Sequence, residues 1–148
     1  MPSTKSSITV LAADDDQDDR DMTLEAFQES RILNDLHFVE DGEKLLQYLR
    51  REGHFADPLK SPRPGLILLD LNMPRMGGRE ALKEIKADPA LRQIPVVIMT
   101  TSKAEEDIFR SYDDGASSFI SKPSKFTTLV DTVRGLGHYW LELVDLPA

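Results

Sequence analysis

The sequence predicts an α/β protein built on one doubly wound parallel sheet of five strands. Three observations carry that expectation. Short aliphatic or β-branched runs alternate five times with segments of helical spacing, which calls for right-handed crossovers between parallel strands. The middle run, Leu66-Ile67-Leu68-Leu69, is apolar throughout, as a strand buried on both faces must be. The runs then stop at Asp14-Asp15-Asp16, Asp70, Thr100 and Lys122, and open α/β sheets place their chemistry at those carboxyl ends.

Each element follows from local signals. Ile8 to Ala13 is the first predicted strand, and a helix starts at about Asp18, where first-turn acids favour the dipole. Met22, Ala26 and Phe27 are its core candidates. Leu36 to Val39 is the second strand. Asp41-Gly42 opens a second helix with the stripe Leu45, Leu46 and Leu49. Residues 51–65 form a long loop marked by Gly53, Pro58, Pro62, Pro64 and Gly65. After the Leu66–Leu69 strand, a third helix runs from about Gly78 to Ala87 on Ala81, Leu82 and Ile85. Pro95 to Met99 is the fourth strand, and a fourth helix from about Ala104 presents Ile108, Phe109 and Tyr112 before Gly115. Ser118 to Ile120 is the fifth strand. A last, extended helix covers 126–145.

Composition narrows the function. A chain of 148 residues with 40% hydrophobic and 30% charged residues reads as one globular domain over 1–148, with a tail at 1–7 and no output domain. A net charge of −8 argues against nucleic acid and anionic membrane surfaces. The absence of cysteine excludes disulfides, thiolate metal sites and cysteine nucleophiles. With no signal-peptide core and no run of membrane-spanning length, the expected location is cytoplasmic.

The acidic constellation demands compensation. Asp14, Asp15 and Asp70 gather three negative charges at one end of the sheet, and left alone they would take up a proton. Lys122 and Mg²⁺ together balance them. Magnesium suits oxygen ligands and keeps waters around one or two carboxylates, and Mn²⁺ can substitute; a backbone carbonyl near Asn72 would add a further ligand. A cation there screens an incoming phosphoryl group, which makes Asp70 a nucleophile that forms an aspartyl-phosphate. Lys122 and the Thr100 hydroxyl would then meet the added charge.

The acidic pair after strand one, Asp70 in LDLNMPRMGG, Thr100 in VVIMTTS and Lys122-Pro123 together resemble the receiver domain of two-component response regulators across nearly the whole chain. The resemblance implies a flavodoxin-like (βα)5 topology with strand order 2-1-3-4-5, and phosphorylation of Asp70 by a sensor histidine kinase. It implies that Asp15, Asp70 and the Asn72 carbonyl bind Mg²⁺ directly while Asp14 works through water. It also places the switch aromatic at Phe119 and implies a cis bond before Pro123, whose isomer the sequence itself leaves open. The loop 51–65, the stretch Arg110-Ser111-Tyr112-Asp113-Asp114-Gly115 and the ending with Tyr139-Trp140 are similar to stand-alone regulators that partner phytochromes.

Other readings compete for the same residues. Asp14, Asp16, Asp18 and Glu25 fit calcium-loop positions, but Asp19 stands where that loop needs glycine. Asp16 is thus a surface acid. An aspartyl-phosphate phosphohydrolase of haloacid-dehalogenase type is the alternative function; it needs a second carboxylate at the place of Asn72. A flavin carrier would need a hydroxyl- and glycine-rich loop where three aspartates stand. His37, His54 and His138 show no ligand spacing. Small Ser102 and uncharged Asn72 leave the acyl-phosphate open to water.

In the last helix, Leu129, Val133, Leu136, Trp140 and Leu143 make a heptad seam. Phe126, Val130, Tyr139, Leu141 and Val144 widen it beyond one stripe. The excess predicts a homodimer or partner surface at Phe126, Tyr139, Trp140 and Leu143.

Overall fold

The structure is a computed structural model that describes residues 8–32, 34–101 and 105–143. Five strands, β1 (Val10–Ala13), β2 (Leu36–Val39), β3 (Leu66–Leu69), β4 (Val96–Thr100) and β5 (Ser118–Ser121), form one sheet in the order β2-β1-β3-β4-β5. All four pairings are parallel. The helices are α1 (Gln17–Glu29), α2 (Gly42–Arg50), α3 (Gly78–Ala87), α4 (Glu105–Asp113) and α5 (Phe126–Leu136). The predicted class and strand order are observed.

Two-residue periodicity divides each strand between two cores. Leu11, Ala13, Ile67, Leu69, Val96 and Ile98 face α2 and α3, where Leu45, Ala81, Leu82 and Ile85 bury against them. Val10, Ala12, Leu66, Leu68, Val97 and Met99 face α1 and α5, meeting Ala26, Phe27, Leu129 and Val133. Burial on both faces is why these strands read as continuous apolar runs rather than as an alternation.

The long loop is ordered. It contains a 3-10 turn at Gly53–Phe55, and the Tyr48 hydroxyl donates to the Pro62 carbonyl at 2.8 Å. Ser61 and Pro64 are buried. The sequence reading also took Asp41 merely as a helix opener. Its carboxylate is 0% exposed; one oxygen accepts from the Lys44 N–H at 2.8 Å as the N-cap, and the other accepts from Arg75 Nη1 at 2.6 Å. Burial pushes this carboxyl up, but the Lys44 N–H and the Arg75 guanidinium outweigh it and hold it below the ordinary value.

The last helix departs from expectation. After Leu136 the backbone widens into a π-helix over Gly137–Leu143. Its i→i+5 repeat carries the buried seam from Leu136 to Leu141 instead of to Trp140. A Cβ on Gly137 would lie 2.6 Å from Ile32 Cδ1, so glycine lets the change of pitch come close to the end of α1. Trp140 packs against the α1/α5 core, edge-on to Tyr139 at 5.2 Å, and is half-buried. Phe126 and Tyr139 are exposed, at 36% and 52%. The side chain of Leu143 lies outside the described residues. Among the described residues no helix is long and apolar enough to cross a membrane.

Gly78 opens α3 directly against the end of β3. A Cβ there would clash with the Asp70 carbonyl oxygen and sit 2.8 Å from Leu71 Cα. Gly78→Ala is therefore expected to lose about 1–3 kcal/mol of stability in urea unfolding, since backbone offers no flexible end to yield. An unchanged midpoint would show that the helix can retreat freely.

Candidate functional site

Register builds the site. Ala13 of β1 lies beside Leu69 of β3, so the residues that follow, Asp14 and Asp70, emerge side by side. The Asp70 N–H donates to the Ala13 carbonyl at 3.1 Å, and the Asp14 N–H to the Val39 carbonyl at 3.0 Å. From β1 the chain turns to α1 on one face, and from β3 to α3 on the other. This is the switch point of a doubly wound sheet, where a crevice opens at the strand ends. Thr100 ends β4 beside Ser121 of β5, and the Lys122 N–H donates to the Thr100 carbonyl at 2.7 Å.

Side chains converge there as predicted, with one addition. Lys122 Nζ donates to Asp14 Oδ2 at 2.8 Å, Asp70 Oδ2 at 3.1 Å and Asp19 Oδ2 at 3.0 Å. Asp19 is not among the site residues the sequence predicts. It sits one turn into α1, behind the Asp16 N-cap whose carboxylate accepts the Asp19 N–H at 3.0 Å. Asp16 is thus a capping surface acid, as expected.

Asp70 Oδ1 accepts from the buried Thr100 hydroxyl at 2.9 Å and from the Asn72 N–H at 3.0 Å. The Asn72 amide nitrogen is 3.5 Å from Thr100 Oγ1. Thr100 is 0% exposed, whereas the neighbouring Thr101 faces solvent. The Thr100 hydroxyl thus already points into the crevice. Among the described residues no peptide bond is cis, so Lys122 reaches the carboxylates across a trans bond to Pro123, an isomer the sequence left open and the resemblance implied to be cis. Phe119 is half-buried against the α2/α3 core, and its N–H donates to the Tyr112 hydroxyl at 3.1 Å, tying α4 to β5. Ser102 lies outside the described residues.

Electrostatics leave the cluster short of positive charge. Desolvation would lower the Lys122 pKa, but its bonds to Asp14 and Asp19 and the nearby Asp70 hold it well above the ordinary lysine value. Asp14 nevertheless rises: burial outweighs Lys122 and the Asp16 N–H, because one ammonium is divided among three carboxylates. Asp14, Asp15 and Asp70 each offer an oxygen within 4.8 Å of the others, and Asp15 is exposed to solvent. An all-carboxylate donor set that lacks one neutralising partner fits a hard divalent cation. These three residues would hold it, and it would supply positive charge beside Asp70.

Comparison with known proteins agrees with this geometry. The family model described as response regulator receiver domain matches residues 10–134. Response regulator Rcp1 of Synechocystis is 39% identical over 139 residues, covering 94% of this chain and 92% of that protein. Its Mn²⁺-bound crystal structure superposes with a TM-score of 0.86 at 38% identity, covering 95% of this chain and 99% of that one. The phosphorylated cyanobacterial phytochrome response regulator RcpA gives a TM-score of 0.89 at 39% identity, over 96% of this chain and 99% of that one. RPA3017, from red light signaling of R. palustris, gives 0.91 at 35% identity, over 95% and 99%.

The direction of the Asp14 shift sets a pH dependence. A carboxyl whose folded pKa lies above its unfolded value of 3.8 contributes stability below 3.8, and loses it as pH rises through the folded pKa. At pH 7 without metal, Asp14 therefore burdens the fold. Asp14→Asn is expected to raise the metal-free thermal midpoint at pH 7 while shrinking the gain from Mg²⁺. For the wild type that gain is about 2.7 kcal/mol at a hundredfold excess over Kd. Calorimetry with and without Mg²⁺ reads both, and a lower metal-free midpoint for the variant contradicts the assignment.

Proposed function

This chain belongs to the response regulator receiver domain family, and we propose that Asp70 is its phosphoacceptor, loaded from the phosphohistidine of a phytochrome-type sensor kinase. The observation that carries the reading is the convergence of three donors on one carboxylate: Thr100 and the Asn72 N–H on Oδ1, and Lys122 on Oδ2. In the transfer a carboxylate oxygen of Asp70 bonds to phosphorus as the P–N bond breaks. The imidazole leaves with the bonding pair and takes up a proton. Asp14, Asp15, Asp70 and the Asn72 carbonyl would hold Mg²⁺, which would supply positive charge where the two anions approach.

The chain's own groups then hold the product. The Thr100 hydroxyl, already inside, exchanges the carboxylate for a phosphoryl oxygen, and Lys122 trades part of its three-way sharing for the added negative charge. The exchange changes the partner of the last residue of β4, and half-buried Phe119 on the neighbouring strand adjusts. The consequence reaches the outer face of α4, where Phe109 and Tyr112 are 73% and 50% exposed. The exposed aromatics Phe126 and Tyr139, together with Trp140, join two copies of the chain. The kinase assignment is supported by the likeness to RcpA, Rcp1 and RPA3017. The phosphohydrolase alternative falls on Asn72, whose amide donates toward Thr100 and offers no acid/base group.

Acetyl phosphate or a phosphorylated phytochrome-type kinase should label the wild type only when Mg²⁺ or Mn²⁺ is present. Asp70→Asn should abolish labelling, and equal labelling of that variant would sink the assignment. Thr100→Ala should slow labelling about tenfold, the worth of one hydrogen bond. In light scattering at tens of micromolar, a dimer is expected; a monomer for both phosphorylated and unphosphorylated chains removes the dimer surface.

A further inference from the structure

The loop from Leu71 to Gly77 carries the Asn72 carbonyl, yet two of its ties come from the start of α2, an element that contributes nothing else to the acidic site. The Gly42 N–H donates to the Met76 carbonyl at 3.0 Å. Next to it the fully buried Asp41 carboxylate grips Arg75 at 2.6 Å while it caps α2 through the Lys44 N–H. At the near end the Gly78 N–H closes on the Leu71 carbonyl at 3.1 Å. Between these anchors the Arg75 backbone is left-handed, with φ at 63°. A non-glycine residue holds that conformation only where its surroundings over-determine it.

A surface ion pair with this exposure would ordinarily contribute little, since the Arg75 side chain is 58% exposed. Here one partner is completely buried and its second oxygen is committed to a helix cap. The position of the guanidinium is therefore dictated by α2, and through φ and the peptide chain so is the loop. Without Arg75, one of the two ties between α2 and the loop is lost and the left-handed turn is free to relax.

We propose that Arg75 and Asp41 form a latch, with Arg75 a positioning residue that sets the Asn72 carbonyl for cation binding beside Asp70. This rests on the receiver reading and deepens it: α2 becomes part of the machinery that prepares the site. Neither residue touches the reacting atoms. Their effect appears first in metal affinity, and in the labelling rate only below metal saturation.

The test uses the full chain with Arg75→Ala, Arg75→Lys, Asp41→Asn and the Arg75→Ala/Asp41→Asn double variant. Asparagine is kept at 41 because it caps a helix as well as aspartate does. Titration calorimetry with Mg²⁺ alone reads affinity, urea unfolding reads stability, and acetyl phosphate labelling reads rate. Arg75→Ala should weaken Mg²⁺ binding on the order of tenfold, with Arg75→Lys recovering part of the loss and the double variant no weaker than either single. Labelling should return to the wild-type rate at saturating Mg²⁺. Mg²⁺ affinity of Arg75→Ala within about twofold of wild type overturns the latch while leaving the receiver reading intact, as does a loss that Arg75→Lys does not recover. Failure of the wild type to bind Mg²⁺ overturns both. Labelling of Asp70→Asn at the wild-type rate overturns the receiver reading, whatever the latch variants do.

Discussion

One ammonium group shared among three carboxylates is the interaction on which the rest of this molecule depends. Lys122 reaches Asp14, Asp19 and Asp70 from the end of β5 and closes the crevice between β1 and β3. It holds the acids together without neutralising them, because Asp15 adds a further charge at the solvent side. The site is thus built with a deficit of positive charge. A buried ion pair that balances perfectly would be structural and inert. This one is left incomplete, and the deficit gives it affinity for a cation.

That incompleteness is affordable because the sheet beneath is rigid. Both faces of β1, β3 and β4 are packed by helices, so the strand ends cannot drift apart to relieve repulsion. Asp70 is further restrained by its own neighbours: Thr100 and the Asn72 N–H fix one carboxylate oxygen, and the close approach of Gly78 fixes its backbone. On the far side, the Tyr112 hydroxyl holds the edge strand to α4 through Phe119. Charge at Asp70 and packing at Phe119 therefore meet across two adjacent strands, β4 and β5. A change in the partner of Thr100 has a short route to the surface.

Some of this was readable because the signals are local. Buried parallel strands must be apolar on both faces, so Leu66–Leu69 and Val96–Met99 announced themselves. Strand ends hold the chemistry in open α/β sheets, so Asp14, Asp15, Asp70, Thr100 and Lys122 could be assigned to one crevice before their distances were known. Asp19 and Asp41 were not readable in that way. Each sits among other acids in a helix start, where capping explains an aspartate well enough, and their partners, Lys122 and Arg75, lie 103 and 34 residues away. The heptad seam of the last helix failed for a different reason: periodicity assumes a constant pitch, and the widened turns after Gly137 shift burial from Trp140 to Leu141.

By itself, then, the sequence determined the class of sheet, the order of its elements and which residue types gather at its carboxyl edge, because hydrophobic period and turn chemistry act over a few residues. Only the tertiary structure decided how the charges are shared, the inward-pointing Thr100 hydroxyl, the trans bond at Pro123 and the grip of Asp41 on Arg75. Those features depend on side-chain reach between segments far apart in the chain. A charge on an amino-acid string has no partner until the fold brings one within about 3 Å.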